Sequence, residues 1–86
     1  MSNYSLKNFA MNKVIHVDSE ILGGTPVFWG TRVPVKNLFD YLETGETVDI
    51  FLQDFESVQR YQALRVLEFS KKIVETSTSI LYESVA

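Results

Sequence analysis

The 86 residues contain no cysteine, so the chain can form no disulfide, thiolate nucleophile or cysteine-based zinc site, and it is not a disulfide-stapled secreted miniprotein. Histidine occurs once, at His16. A triad would have to take its base from that one imidazole, which falls in an expected strand where a lone histidine is most often structural, and a two-histidine metal centre is ruled out. No run of about 18 apolar residues exists to span a bilayer, and the N-terminus lacks the apolar stretch of a signal peptide. The expected location is the cytoplasm, away from membranes. Glycine is confined to positions 23, 24, 30 and 45, with no phosphate-loop spacing and no following Lys-Ser or Lys-Thr pair, so nucleotide hydrolysis is not supported. Carboxylates are plentiful, but Glu43, Glu46 and Asp49 straddle a helix end and a cap, a poor frame for magnesium. The expectation is therefore a protein that is not an enzyme, with no catalytic residue, metal, cofactor or small-molecule substrate.

What is present suits one small domain. Eighty-six residues with 45% apolar and 22% charged side chains fall well below the length at which a core divides. Folding at this size buries only about 60–65% of the unfolded surface, so an oligomer or partner would help complete the core. Charge is segregated along the chain. Residues 1–39 carry a net +2; Asp40, Glu43, Glu46, Asp49, Asp54 and Glu56 follow with no cation among them; residues 57–75 return to +2. Two solvated helix faces account for such a pattern, and it lacks the strongly basic footprint of a dedicated nucleic-acid binder.

Residues 1–12 show no sustained periodicity and read as an N-terminal arm whose Tyr4, Leu6 and Phe9 suit docking. The β-branched run at 13–17 and the run at 25–29 read as strands, the second bounded by Gly23-Gly24 and Gly30. Gly30-Thr31-Arg32 reads as a tight turn, and Pro34 suits the first turn of a helix. Val35, Leu38, Phe39 and Leu42 then keep one helical face, ended by Gly45 in a left-handed cap. Thr47 caps a second helix of about eight residues that carries Val48, Phe51, Leu52 and Phe55, with Asp49 favoured in its first turn. Ser57 is expected to cap a third and longest helix. Its apolar residues fall in two arcs, Ala63/Leu64/Leu67/Val74 and Val58/Val66/Phe69/Ile73. One arc packs internally; the other meets either the hairpin or a second copy of the chain. Residues 76–86 read as a C-terminal tail outside the helix, because serine and β-branched residues crowd them.

Three helices with a short break before the last are the ingredients of a helix-turn-helix. The last helix would offer Gln59, Arg60 and Gln62 from its first turn and Arg65 from the next, all able to bond base edges or phosphates. The acids of 40–56 oppose this, because the preceding helix of such a motif crosses the phosphate backbone.

The run from Gly23 to Val35, with Gly30-Thr31-Arg32 at its centre, then Leu38 to Glu43 and Gly45, resembles the domain-of-unknown-function 433 family. The resemblance continues through Phe51 to Phe55, Val58, Gln62-Ala63 and Val66 to Phe69, placing a family domain at 13–75. It implies a mainly α fold: a three-helix, homeodomain-like helix-turn-helix bundle with a small N-terminal β-hairpin. It also implies an antitoxin-like role beside a PIN-like ribonuclease toxin, with repression at operator DNA. The chain departs from the family pattern at Trp29, where relatives often carry a cation, and at Glu56, where they commonly carry proline.

Two readings of the signature stay open. In one, Gly30 permits the turn, Thr31 satisfies backbone groups and Arg32 pairs with local oxygens. In the other, Arg32 is offered to phosphate or to the acidic site of a toxin. Trp29 likewise either packs on the core or forms a partner contact. The functional expectation is an antitoxin-like regulator that binds a PIN-like ribonuclease through Trp29, Gly30, Thr31 and Arg32. It would be a homodimer and could bind double-stranded operator DNA through Gln59, Arg60, Gln62 and Arg65. The alternative is a protein-interaction or homodimerisation module without DNA binding.

Overall fold

The computed structural model describes residues 12–83. They form a mainly α domain: strands β1 (Ile15–His16) and β2 (Val27–Phe28), then helices α1 (Lys36–Glu43), α2 (Val48–Asp54) and α3 (Arg60–Glu83). The expected docking residues of the arm, Tyr4, Leu6 and Phe9, lie outside the described residues, as does the end of the tail from residue 84.

β1 and β2 pair antiparallel, Ile15 opposite Phe28 and His16 opposite Val27, as a hairpin shorter than the apolar runs suggest. The chain then doubles back on β2's other side. Phe28 N–H donates to Val33 O, Val35 N–H donates to Pro26 O, and Val27 bridges Pro34. Pro34 therefore sits ahead of the first turn of α1 rather than inside it. There its missing N–H costs no ladder bond, and its carbonyl accepts from Asn37.

α1 ends in a Schellman motif. Gly45 (φ 92°) donates to Leu42 O and Glu46 to Tyr41 O, satisfying carbonyls the helix end would orphan. Two residues later Thr47 Oγ1 accepts from Ile50 N–H to cap α2, with Asp49 in the first turn, as the sequence implies. The faces of α1, α2 and α3 meet the hairpin in one core of Val14, Phe28, Val35, Leu38, Phe51, Val58, Ala63 and Val66. Phe51 lies at its centre, 5.9 Å from Phe28, 5.4 Å from Tyr41 and 5.0 Å from Phe55 between ring centroids.

α3 departs from expectation at both ends. Ser57 does not cap it: the helix starts at Arg60, and Gln62 Oε1 accepts from Gln59 N–H. This is the backward half of a capping box, with Gln59 at the cap. At the other end the helix continues to Glu83 instead of breaking near 76. The hydroxyls of Ser70 and Thr76 bond to the carbonyls of Val66 and Lys72, one turn back. Serine and threonine in that arrangement weaken a helix without ending it. Among the described residues no helix is long and apolar enough to cross a membrane.

Candidate functional site

The Gly-Thr-Arg turn is built by its first two residues and leaves the third free. Gly30 adopts φ 80°, a conformation L-residues rarely enter. Thr31 locks the turn twice: its N–H and its Oγ1 both donate to Phe28 O, and its Oγ1 accepts from Val33 N–H. Arg32 is exposed and, among the described residues, makes no ion pair or hydrogen bond. Of the structural reading of this motif, the glycine and threonine parts describe the observed turn. The arginine part does not.

Trp29 precedes the turn. Its backbone is fixed, N–H to Val14 O and carbonyl to Gln62 Nε2. Its indole is 42% exposed and lies tilted against His16, with ring centroids 4.6 Å apart. Trp29, His16 and Arg32, together with Thr31, Ile21 and Ser57, line an open cleft of about 560 Å³, a volume in the range of ligand and peptide sites. The lining carries an indole, a guanidinium, an imidazole and the Ser57 hydroxyl, and it includes no carboxylate. Three of these four groups include N–H donors, so the cleft favours an acceptor-rich, anionic group.

The residues expected to read DNA are not presented together. Gln62 is 2% exposed and belongs to the core. Its Nε2 donates to Lys13 O and Trp29 O at 3.0 Å each, while its Oε1 caps α3. Burial makes the difference: an amide this buried must satisfy its polar atoms internally, so it is not available to a base edge. Arg60 pairs with Asp49 at 2.6 Å, tying α3 to the acidic α2, and Arg65 pairs with Glu68 at 3.1 Å. Gln59 is exposed. One signal for Gln62 lay in the sequence: it falls one residue before Ala63 and four before Val66, on the apolar arc. His16 and Ser57 were not expected at the site. They arrive there because β1 lies beside β2 and the α2–α3 turn passes the mouth of the cleft.

Among the described residues no group of three or more His, Asp or Glu side chains is placed to hold a metal ion. The fold and site define a small helical domain carrying a glycine-led turn that presents one arginine beside one exposed indole. Residues 15–70 match the family described as Protein of unknown function (DUF433), and the chain belongs to that family. No curated protein and no solved structure matches the chain.

Proposed function

We propose that this chain is an antitoxin-like regulator that acts by binding a protein, a PIN-like ribonuclease, and contributes no chemistry of its own. The observation that carries the reading is Arg32, uncommitted in a cleft without carboxylates and beside a half-exposed tryptophan. Tryptophan and arginine are the residues that dominate protein interfaces. The active site of a PIN-like nuclease is a cluster of acids around a metal, and a guanidinium inserted there would neutralise it. The donor-lined cleft suits that task better than a duplex. A DNA-reading α3 would have to expose Gln62 and release Arg60 from Asp49, next to the phosphate-repelling acids of 40–56.

Operator binding and self-association are subordinate parts of this proposal. Ile73, 40% exposed on α3 beyond the core, is a natural contact for a second copy, as the thin core of so small a chain invites. The deciding experiment mixes the full chain with a purified PIN-like ribonuclease from the same source and follows RNA cleavage. Inhibition by the native chain that Arg32→Ala abolishes, with its circular dichroism and melting unchanged, supports the reading. Equal inhibition by Arg32→Ala refutes it. DNA binding is tested separately by titration against salt: several phosphate contacts would make affinity fall steeply as salt rises.

A further inference from the structure

α3 outruns the domain it belongs to. Its first half is held: Ala63 and Val66 are buried in the core, and Leu67 packs against it. Two turns further the same face comes out into solvent, with Ile73 40% and Val74 64% exposed, while the helix runs on to Glu83. At about 100° per residue Leu67, Ser70, Ile73, Val74 and Ser77 share one stripe, and Glu68, Lys71, Lys72 and Glu75 lie outside it. Lys72 and Glu75 pair on α3 itself, at 3.5 Å. The stripe is therefore uncharged, and it continues a buried face beyond the core that buries it.

Its pattern points to the occupant. Val66-Leu67, Ile73-Val74 and, in sequence, Ile80-Leu81 recur every seven residues, with small residues at Ala63, Ser70 and Ser77 between them. A seven-residue apolar repeat marks a helix packed lengthwise on another helix. The pattern also reads alike from both ends. About the point between Ile73 and Val74, Ser70 answers Ser77, Leu67 answers position 80 and Val66 answers position 81. A twofold pair, in which one patch meets itself, requires such symmetry, whereas an unrelated partner has no use for it. We propose that the exposed half of α3 is the contact with a second copy of this chain, the two helices running antiparallel and crossing between Ile73 and Val74. Charge favours that direction. Antiparallel, Lys72 falls level with Glu75 of the partner subunit, and Lys71 with Thr76 of the partner subunit. Parallel, every charge would fall level with its own counterpart, and the two acid-only segments 40–56 would lie side by side. The antiparallel pair sets the two cores at opposite ends, each Val66 about 22 Å along the axis from its counterpart. Each dimer then presents two Trp29–Arg32 clefts, one for each of two partner chains. This inference rests on the self-association part of the reading above and supplies its surface and geometry.

The test needs no ligand. Analytical ultracentrifugation of the full chain across the micromolar range should show a dimer. Ile73→Glu, which sets two carboxylates beside one another near the twofold axis, should weaken it by about a hundredfold or more. Unchanged circular dichroism at dilutions where both proteins are monomers separates lost pairing from lost fold. Because the chain has no cysteine, disulfides can report the direction. Ser70→Cys and Ser77→Cys proteins, mixed and mildly oxidised, should join to each other and not to themselves, since each residue lies about 10 Å along the axis from its own counterpart, beyond disulfide reach. A monomer throughout, a dimer that Ile73→Glu leaves intact, or Ser70→Cys joining itself would each overturn the inference. So would a monomer that dimerises once Tyr4, Leu6 and Phe9 are changed to serine, which gives the stripe to the chain's own N-terminal arm, or a monomer in which Ile73→Glu abolishes ribonuclease binding, which gives it to that partner. If the chain inhibits the ribonuclease but never dimerises, this inference fails while the ribonuclease reading stands. If it dimerises as described and inhibits no ribonuclease, the ribonuclease reading fails instead.

Discussion

Replacing Gln62 with leucine, a side chain of similar volume, tests whether this glutamine is a structural tie or a reader of partners. The native amide makes three hydrogen bonds, to Lys13 O, Trp29 O and Gln59 N–H. Two of the three groups have other recourse. Lys13 O keeps the Tyr61 hydroxyl at 3.2 Å, and Gln59, exposed at the helix start, can turn its N–H to water. Trp29 O loses its bond from the buried amide. Losing the bond to this part-buried carbonyl costs roughly 1–3 kcal/mol and the loss of a weak cap some tenths more. Leucine's greater apolarity offsets part of this, leaving a net loss of about 2 kcal/mol. For a domain of this size that lowers the melting temperature by roughly 8–16 °C. Gln62→Glu should be worse at neutral pH, because it turns a carboxylate toward two carbonyl oxygens, and it should recover partly in acid as the carboxyl becomes a donor. Thermal and urea denaturation followed by circular dichroism would measure both variants. A Gln62→Leu protein within about 0.5 kcal/mol of native, the range of ordinary surface substitutions, would refute the structural assignment.

Other consequences follow from single contacts. Gly30→Ala should cost about 1–2 kcal/mol by urea denaturation. The cause is φ alone, since a Cβ there meets nothing within 4 Å. Thr31→Val, which removes the hydroxyl bonds to Phe28 and Val33, should cost about 1–2 kcal/mol and loosen the presentation of Arg32. Arg60→Gln breaks an exposed pair with Asp49 and should change stability by less than about 1 kcal/mol. Tyr41 donates to Asp54 at 2.6 Å, and this hydrogen bond, then desolvation and the charges of Asp54 and Glu46, raise its pKa above 10.0. A raised pKa of this kind stabilises the fold below the unfolded value and withdraws that support as pH climbs through the folded one. Native protein should therefore lose stability above about pH 10 more steeply than Tyr41→Phe, as pH-dependent melting would show.

The middle of this fold was legible because its signals are local. Val35, Leu38 and Leu42 repeat at helical spacing, Gly45 supplies a left-handed residue at the position a Schellman motif needs, and Thr47 stands where a cap is useful. None of these depends on distant parts of the chain. The ends of α3 were not legible. Its cap is a glutamine reaching backward, a weaker cue than a serine two residues earlier, and its continuation past residue 76 runs against the low helix preference of the serines and threonines there, whose back-bonded hydroxyls weaken the helix without ending it. The candidate site divides in the same way. Gly30 and Thr31 could be assigned from their chemistry as turn residues, whereas the fate of each polar residue at the start of α3 depended on tertiary neighbours. Gln62 met the carbonyls of Lys13 and Trp29 across 49 and 33 residues, and Arg60 met Asp49 across 11.

The central claim, that the Trp29–Arg32 cleft is where a protein partner is held, is tested most directly by the emission of Trp29 during titration with a PIN-like ribonuclease whose activity is followed in the same cuvette. The account predicts a blue shift that saturates together with inhibition, and a parallel loss of both, by about tenfold or more in affinity, in Arg32→Ala. Full inhibition with an unchanged tryptophan spectrum would contradict it, placing the contact elsewhere on the domain.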